Sequence, residues 1–287
     1  MADSDQPKPD LSELVFTEIN RDRRRRRVVA GTLAVVVVVI ALFATGTIAP
    51  ERAAEIVLRR DFQLEERTAP INPDEPGQAL LAVARADVDT ITALSEPDPS
   101  SEEVAEFLND PTYPLHFLSV LNFDAFVTSD MGDWIEVLLP VRPNGSRGWI
   151  QLSQVELREN PYRIEIDISD HQLTVFKDNE LFDEATVAIG TGETPTPVGR
   201  FYTTDLFKVP IENSVYGPYA YGLSGFSDAL TTFEGGDAII GLHGTNDPRS
   251  LGTDVSHGCV RMPNELITKL AEILPLGTPV LIVEDRN

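Results

Sequence analysis

One cysteine serves all 287 residues, and it stands in the run "DVSHGCV", Asp254 to Val260, as Cys259. His257 lies two positions before it and Arg261 two after, while His243 ends the apolar run "AIIGLH" further upstream. A thiol is a few per cent ionised at neutral pH, and a neighbouring imidazole raises that fraction by accepting its proton into a thiolate–imidazolium pair. Two candidate bases, His243 and His257, are therefore at hand. Gly258 leaves a substrate carbonyl room to approach, and amide N–H groups from Gly258 to Val260 could hold the oxyanion formed on attack. The chemistry these residue types suit is nucleophilic acyl transfer.

A second chemistry uses the same residues. Cys259, His243 and His257 could ligate zinc with Asp247 or Asp254, although their spacing matches no established zinc pattern. An inactive scaffold that keeps the fold is a third reading. His116 and His171 have no motif around them.

The elements that must position these residues lie beyond an uncharged stretch. Val28 to Ala49 is 22 residues without a charge, long enough to cross about 30 Å of hydrocarbon as a helix. Arg23 to Arg27 directly precede it, which predicts a cytoplasmic tail at residues 1–27, a membrane span at 28–49 and everything later outside. The rival, a cleaved export signal, would have a shorter apolar core. Outside the cytoplasm a cysteine usually pairs; a single one suggests a free reactive thiol or an intermolecular bond. The whole chain carries 23 basic and 46 acidic side chains, a net −23, which argues against a nucleic-acid partner.

Residues 50–110 read as helices and Pro-rich linkers. "GQALLAVARADVDTITAL" and "SSEEVAEFLND" each have apolar residues enough for one helix, with Ser100 and Glu103 as a capping box, and "SEPDPS" between them reads as spacer. From 111 to 158 the period changes to two. "DWIEVLLP" and "GWIQLSQVEL" flank an Asn144-Gly145 turn, a hairpin that resembles a bacterial SH3-like module. Trp134 and Trp149 fit either a wall-binding surface or packing aromatics. Residues 159–287 hold several strand patterns and one convincing helix, "NELITKLAEILP", so the expected fold class is mostly β.

"HGTNDPRSLGTDVSHGCVRM", His243 to Met262, together with "IGTGETPTPVGRFYTT", Ile189 to Thr204, resembles the signature of the L,D-transpeptidases with a YkuD-type catalytic domain. The resemblance covers most of residues 161–285 and implies that Cys259 is the nucleophile and His243 its base. Gly244 occupies the position of the residue that orients the imidazole, so a backbone carbonyl or a neighbour would have to act there. It further implies a β-rich catalytic domain and a two-step transfer on peptidoglycan stem peptides: attack on a tetrapeptide, release of D-Ala, then resolution of the thioester by an amine to give a 3-3 cross-link. Water as acceptor would make the enzyme an L,D-carboxypeptidase. Arg261 is implied to hold a substrate carboxylate, with Ser256 and His257 shaping the pocket or bonding to the substrate. No metal or other cofactor is implied. The implied setting is the cell envelope, with the cytoplasmic membrane reached through the N-terminal helix.

Overall fold

The computed structural model describes residues 27–28, 79–110, 112–118, 126–129, 132–233 and 235–286. The expected span, Val28 to Ala49, lies outside the described residues except for Val28. Among the described residues no helix is long and apolar enough to cross a membrane. The stretch "APINPDEP", Ala69 to Pro76, one of the Pro-rich linkers expected within residues 50–110, also lies outside them.

In chain order the first module contains β1 (Arg27–Val28), β2 (Ala79–Ala84), β3 (Thr90–Leu94), β4 (Glu103–Leu108), β5 (His116–Leu118), β6 (Phe126–Ser129), β7 (Gly132–Leu138), β8 (Arg147–Gln151) and β9 (Val155–Asn160). They form a six-stranded sheet, β1-β4-β3-β8-β7-β6, and a three-stranded one, β5-β2-β9. The two stretches expected as helices are strands. In β3 only Ile91 and Ala93 are buried, and in β4 only Ala105 and Phe107, so each puts alternate residues into the core as a half-buried strand does. Ser95 to Ser100 is the hairpin loop between β3 and β4, not a spacer. Asp98 Oδ1 accepts from Ser100 N and Oγ at 2.8 Å each, which takes Ser100 out of any capping box. Trp134 is 1% exposed beside Ile135 and Val137, so it cannot serve as a wall-binding surface.

The second module follows with β10 (Tyr162–Asp167), β11 (Gln172–Lys177), β12 (Glu180–Thr186), β13 (Ile189–Gly190), β14 (Gly199–Lys208), β15 (Tyr219–Phe226), β16 (Thr232–Phe233), β17 (Gly236–Asp237), β18 (Ile239–His243), β19 (Asp254–Ser256), β20 (Val260–Arg261), α1 (Asn264–Ile273) and β21 (Pro279–Val283). Its eight-stranded sheet runs β12-β11-β10-β21-β14-β15-β18-β20. As expected the protein is mostly β, with α1 the one α-helix among the described residues. Helix α1 buries Leu266, Ile267, Leu270 and Ala271 against the core that holds Tyr221, Leu242 and Val260. The Tyr221 hydroxyl lies 3.0 Å from the Leu270 carbonyl, satisfying an end-of-helix acceptor from the sheet. Leu81, Val83, Leu138 and Tyr202 form a small apolar cluster joining the two modules.

Candidate active site

Strand β18 runs parallel to β20 with His243 opposite Arg261, so Cys259, two residues before Arg261, sits at the level of Gly241. Successive side chains along a strand alternate faces, so Gly241 and His243 share one. A Cβ built on Gly241 would lie 3.9 Å from the Cys259 sulfur, and the Gly241 N–H donates to that sulfur. The glycine thus makes a floor for the thiol, and the imidazole rises from the next residue on the same face. Both groups line a cavity of about 230 Å³ together with Tyr216, Ser256, His257 and Arg261.

His243 is buried, and its Nδ1 lies 2.7 Å from the Gly244 carbonyl oxygen. An acceptor there assigns the proton to Nδ1 and leaves Nε2 with a free lone pair. The orienting group is thus the Gly244 main chain. The Tyr216 ring packs at 5.0 Å and 63° to the imidazole, closing another side.

Burial pushes the His243 pKa down to about 4, with the Arg261 charge adding to the shift and the Gly244 hydrogen bond opposing it. Burial pushes the Cys259 thiol up, only partly offset by the Gly241 N–H and by Arg261. Both shifts run against the thiolate–imidazolium pair expected from the sequence and toward a neutral thiol and a neutral imidazole.

The remaining predicted residues divide by what their atoms already do. Ser256 is buried, its Oγ donating to the Cys259 carbonyl at 2.5 Å and accepting from the Gly258 N–H at 3.0 Å. This ties the cysteine loop to itself. It also uses the Gly258 N–H, which is then not free for an oxyanion. Val260 is fully buried in the core, so its side chain does not reach the cavity. Gly258 is itself buried with φ +118°, a conformation side chains rarely adopt. His257 is exposed at the cavity, with Phe233 5.3 Å away. The Arg261 Nε is buried without a hydrogen-bond partner among the described residues, while the side chain lines the cavity.

For a zinc site the carboxylates are elsewhere. Asp254 pairs with His171 at 2.6 Å, and Asp247 accepts from the Arg249 N–H. Among the described residues no group of three or more His, Cys, Asp or Glu could hold a metal ion.

Sequence reasoning missed the support beneath the cysteine. Thr196 is 4% exposed; its Oγ1 donates to the Gly258 carbonyl at 3.0 Å and accepts from the Gly190 N–H at 2.9 Å. Thr194 Oγ1 bonds the Ser256 carbonyl at 3.2 Å. The Thr-Pro-Thr-Pro stretch is thus the bed of the cysteine loop, and the threonines alternating with prolines were its signal. The prolines fix the backbone and the hydroxyls point to one side.

Comparisons with known proteins come to the same region. The model of the YkuD family, the L,D-transpeptidase catalytic domain, matches residues 161–282. The chain is 35% identical over 122 residues to YkuD of Bacillus subtilis, covering 42% of this chain and 66% of that protein. It is 35% identical over 147 residues to YqjB of the same organism, covering 47% of this chain and 78% of that protein. Both relatives are named provisionally as L,D-transpeptidases. Among solved structures, Bd1075 of Bdellovibrio bacteriovorus aligns with 45% of this chain and 49% of its own at 30% identity, with a TM-score of 0.35. The chain thus spans just under two thirds of YkuD's length and about half of Bd1075's.

Proposed function

Because the chain belongs to the L,D-transpeptidase family, we propose that it is a peptidoglycan L,D-transpeptidase acting through an acyl-enzyme on Cys259. The observation that carries this reading is the sharing of one cavity by the only thiol of the chain and the open Nε2 of His243. In the proposed reaction the sulfur attacks the carbonyl carbon of the L,D peptide bond of a tetrapeptide stem while Nε2 takes the thiol proton. Attack and proton transfer occur together, because a thiolate formed in advance would sit beside an imidazolium that this site disfavours. The intermediate collapses with loss of D-Ala, whose nitrogen receives the proton from Nε2, and a thioester remains. The side-chain amine of a second stem then attacks the thioester, giving up a proton to Nε2, and the departing sulfur recovers it. The product is a 3-3 cross-link.

Arg261 holds a substrate carboxylate and places a positive charge near the developing oxyanion. His257, exposed at the cavity, contacts substrate, while Ser256, Gly258 and Val260 keep the nucleophile loop in shape. The scheme uses no metal. Two further readings come from sequence alone: an SH3-like character for the first module, and anchoring in the cytoplasmic membrane by Val28 to Ala49 with the catalytic module outside. The uncharged length and preceding arginines support the second.

Incubation with disaccharide tetrapeptides followed by mass spectrometry of protein and products tests the proposal. An adduct on Cys259 with loss of D-Ala and a cross-linked dimer is the expected result; free tripeptide would identify water as the acceptor. Absence of any adduct, or activity that survives Cys259→Ala and is lost with a chelator, would overturn it.

A further inference from the structure

One wall of the cavity around Cys259 comes from the excursion that leaves β15 after Phe226, folds into the β16–β17 hairpin and returns into β18. Ser227, Leu230, Phe233 and Ala238 line the cavity from this excursion, and Ile239 from the start of β18. Its base is tied internally by the Ser227 N–H, which donates to the Ala238 carbonyl at 2.7 Å, and by Ser227 Oγ, which accepts from Leu230 N at 3.1 Å. The main-chain groups on its outer side are met from the other module.

Arg142 and Asn144 lie in the turn between β7 and β8, in the hairpin read from sequence as a simple chain reversal. Arg142 Nη1 donates to the Ser227 carbonyl and Nη2 to the Leu230 carbonyl, both at 2.8 Å. Its guanidinium lies 4.9 Å from the centre of the Phe226 ring. Asn144 matches both main-chain groups of Phe226, Nδ2 donating to its oxygen at 2.7 Å and Oδ1 accepting from its nitrogen at 2.8 Å. The Asn144 amide also donates to Asp228 Oδ1 at 3.0 Å. A planar fork on two carbonyls and an amide paired like a strand edge fix position and direction together. A turn needs neither.

We propose that Arg142 and Asn144 are positioning residues for the acyl-transfer site: the first module sets the cavity wall against Cys259, and donor binding depends on a module that contributes no reacting group. This rests on the transpeptidase reading above, which makes the cavity the donor site. A module that only spaced or tethered the catalytic one would have no reason to satisfy the backbone of its active-site wall.

The test uses the full chain with Arg142→Ala, Arg142→Lys and Asn144→Ala. Tyr113→Phe is the control, since it removes inter-module hydroxyl contacts to Leu206 N and to the Asp205 carboxyl, elsewhere on the interface. Three quantities are read: amide hydrogen exchange over residues 227–239, the rates at which iodoacetamide and a bulky maleimide alkylate Cys259, and KM and kcat for a tetrapeptide donor. Arg142→Ala, which removes two hydrogen bonds, and Asn144→Ala, which removes three, should speed exchange in the wall about tenfold or more, since the net worth of even one such bond is about tenfold. They should raise donor KM by a similar factor while changing kcat far less, and should narrow the gap between the two alkylation rates. Arg142→Lys should restore only part, because an ammonium cannot span both carbonyls. Should Arg142→Ala fail to fold, Asn144→Ala and Arg142→Lys carry the measurement. Unchanged exchange and alkylation in the folded variants, or equal changes in Tyr113→Phe, would overturn the proposal. Failure of the wild type to transpeptidate would instead sink the functional reading, leaving exchange and alkylation to decide the wall.

Discussion

The Nδ1 atom of His243 faces the carbonyl of its own neighbour, Gly244, at 2.7 Å. A base is usually oriented by a distant acidic side chain, which also raises its basicity. Here the orienting acceptor is neutral main chain, and burial dominates, holding the imidazole pKa near 4.

The pH dependence of acylation should show this. With the base neutral above about pH 4 and the thiol above its ordinary range, kcat/KM for acylation should keep an acid limb near 4, well below an ordinary histidine limb. Alkylation of the free thiol should keep rising beyond pH 9. A plateau between pH 5 and 8 would reveal a resident thiolate and refute the neutral pair. His243→Ala should lower acylation on the order of a hundredfold or more.

Gly258→Ala should damage the nucleophile loop. The added Cβ would lie 2.8 Å from Ile240 Cδ1 at a φ of +118°, a backbone strain of about 1–3 kcal/mol. Lower acylation and a lower melting temperature are expected. Gly192→Ala, which meets nothing within 4 Å, should change neither, and equal effects in both would contradict the argument.

Thr196→Val keeps shape while removing the hydroxyl that joins Gly258 to Gly190. Leaving those buried main-chain groups unmatched costs about 1–3 kcal/mol each. Thermal unfolding and acylation should both suffer, with Thr196→Ser restoring most of each. A Thr196→Val enzyme with normal acylation would show that the bed is dispensable.

Asp205 gives a stability prediction with a definite sign. Burial raises its carboxyl to about 7 against the hydroxyls of Thr204 and Tyr113, and its Oδ1 has no hydrogen-bond partner among the described residues. Between about pH 4 and 7 the folded chain keeps a proton that the unfolded chain releases, so this group's contribution to stability falls as pH rises, by on the order of 4 kcal/mol in all. Asp205→Asn removes the dependence. The variant should melt increasingly above wild type from pH 4.5 to 8; parallel melting curves would argue otherwise.

That Cys259 and His243 line one cavity was readable because their motif is local and its residue types are chemically unusual. The strands at Thr90–Leu94 and Glu103–Leu108 were not. "VDTITAL" and "EEVAEFL" are short apolar runs that suit either period, and only their partners, β8 and each other, make them strands. Likewise Asn144 looked like a turn residue and Thr196 carried no role of its own, because their bonds to Phe226 and Gly258 span 82 and 62 positions. Such contacts leave no mark on a local pattern. The ionisation of the thiol is legible only in part for a related reason: proximity to an imidazole can be read from a motif, but the burial that opposes the ion pair comes from the whole fold.

Strand β21, residues 279–283, lies between β10 and β14 in the middle of the eight-stranded sheet. Synthesis delivers β10 and β14 about seventy residues or more before the element that must separate them. Until then the sheet has a central gap, and the two halves of the catalytic module can only hold provisional partners. Docking of β21 therefore closes the sheet, and a cut that frees this segment would leave two open strand edges in place of a slightly trimmed catalytic module.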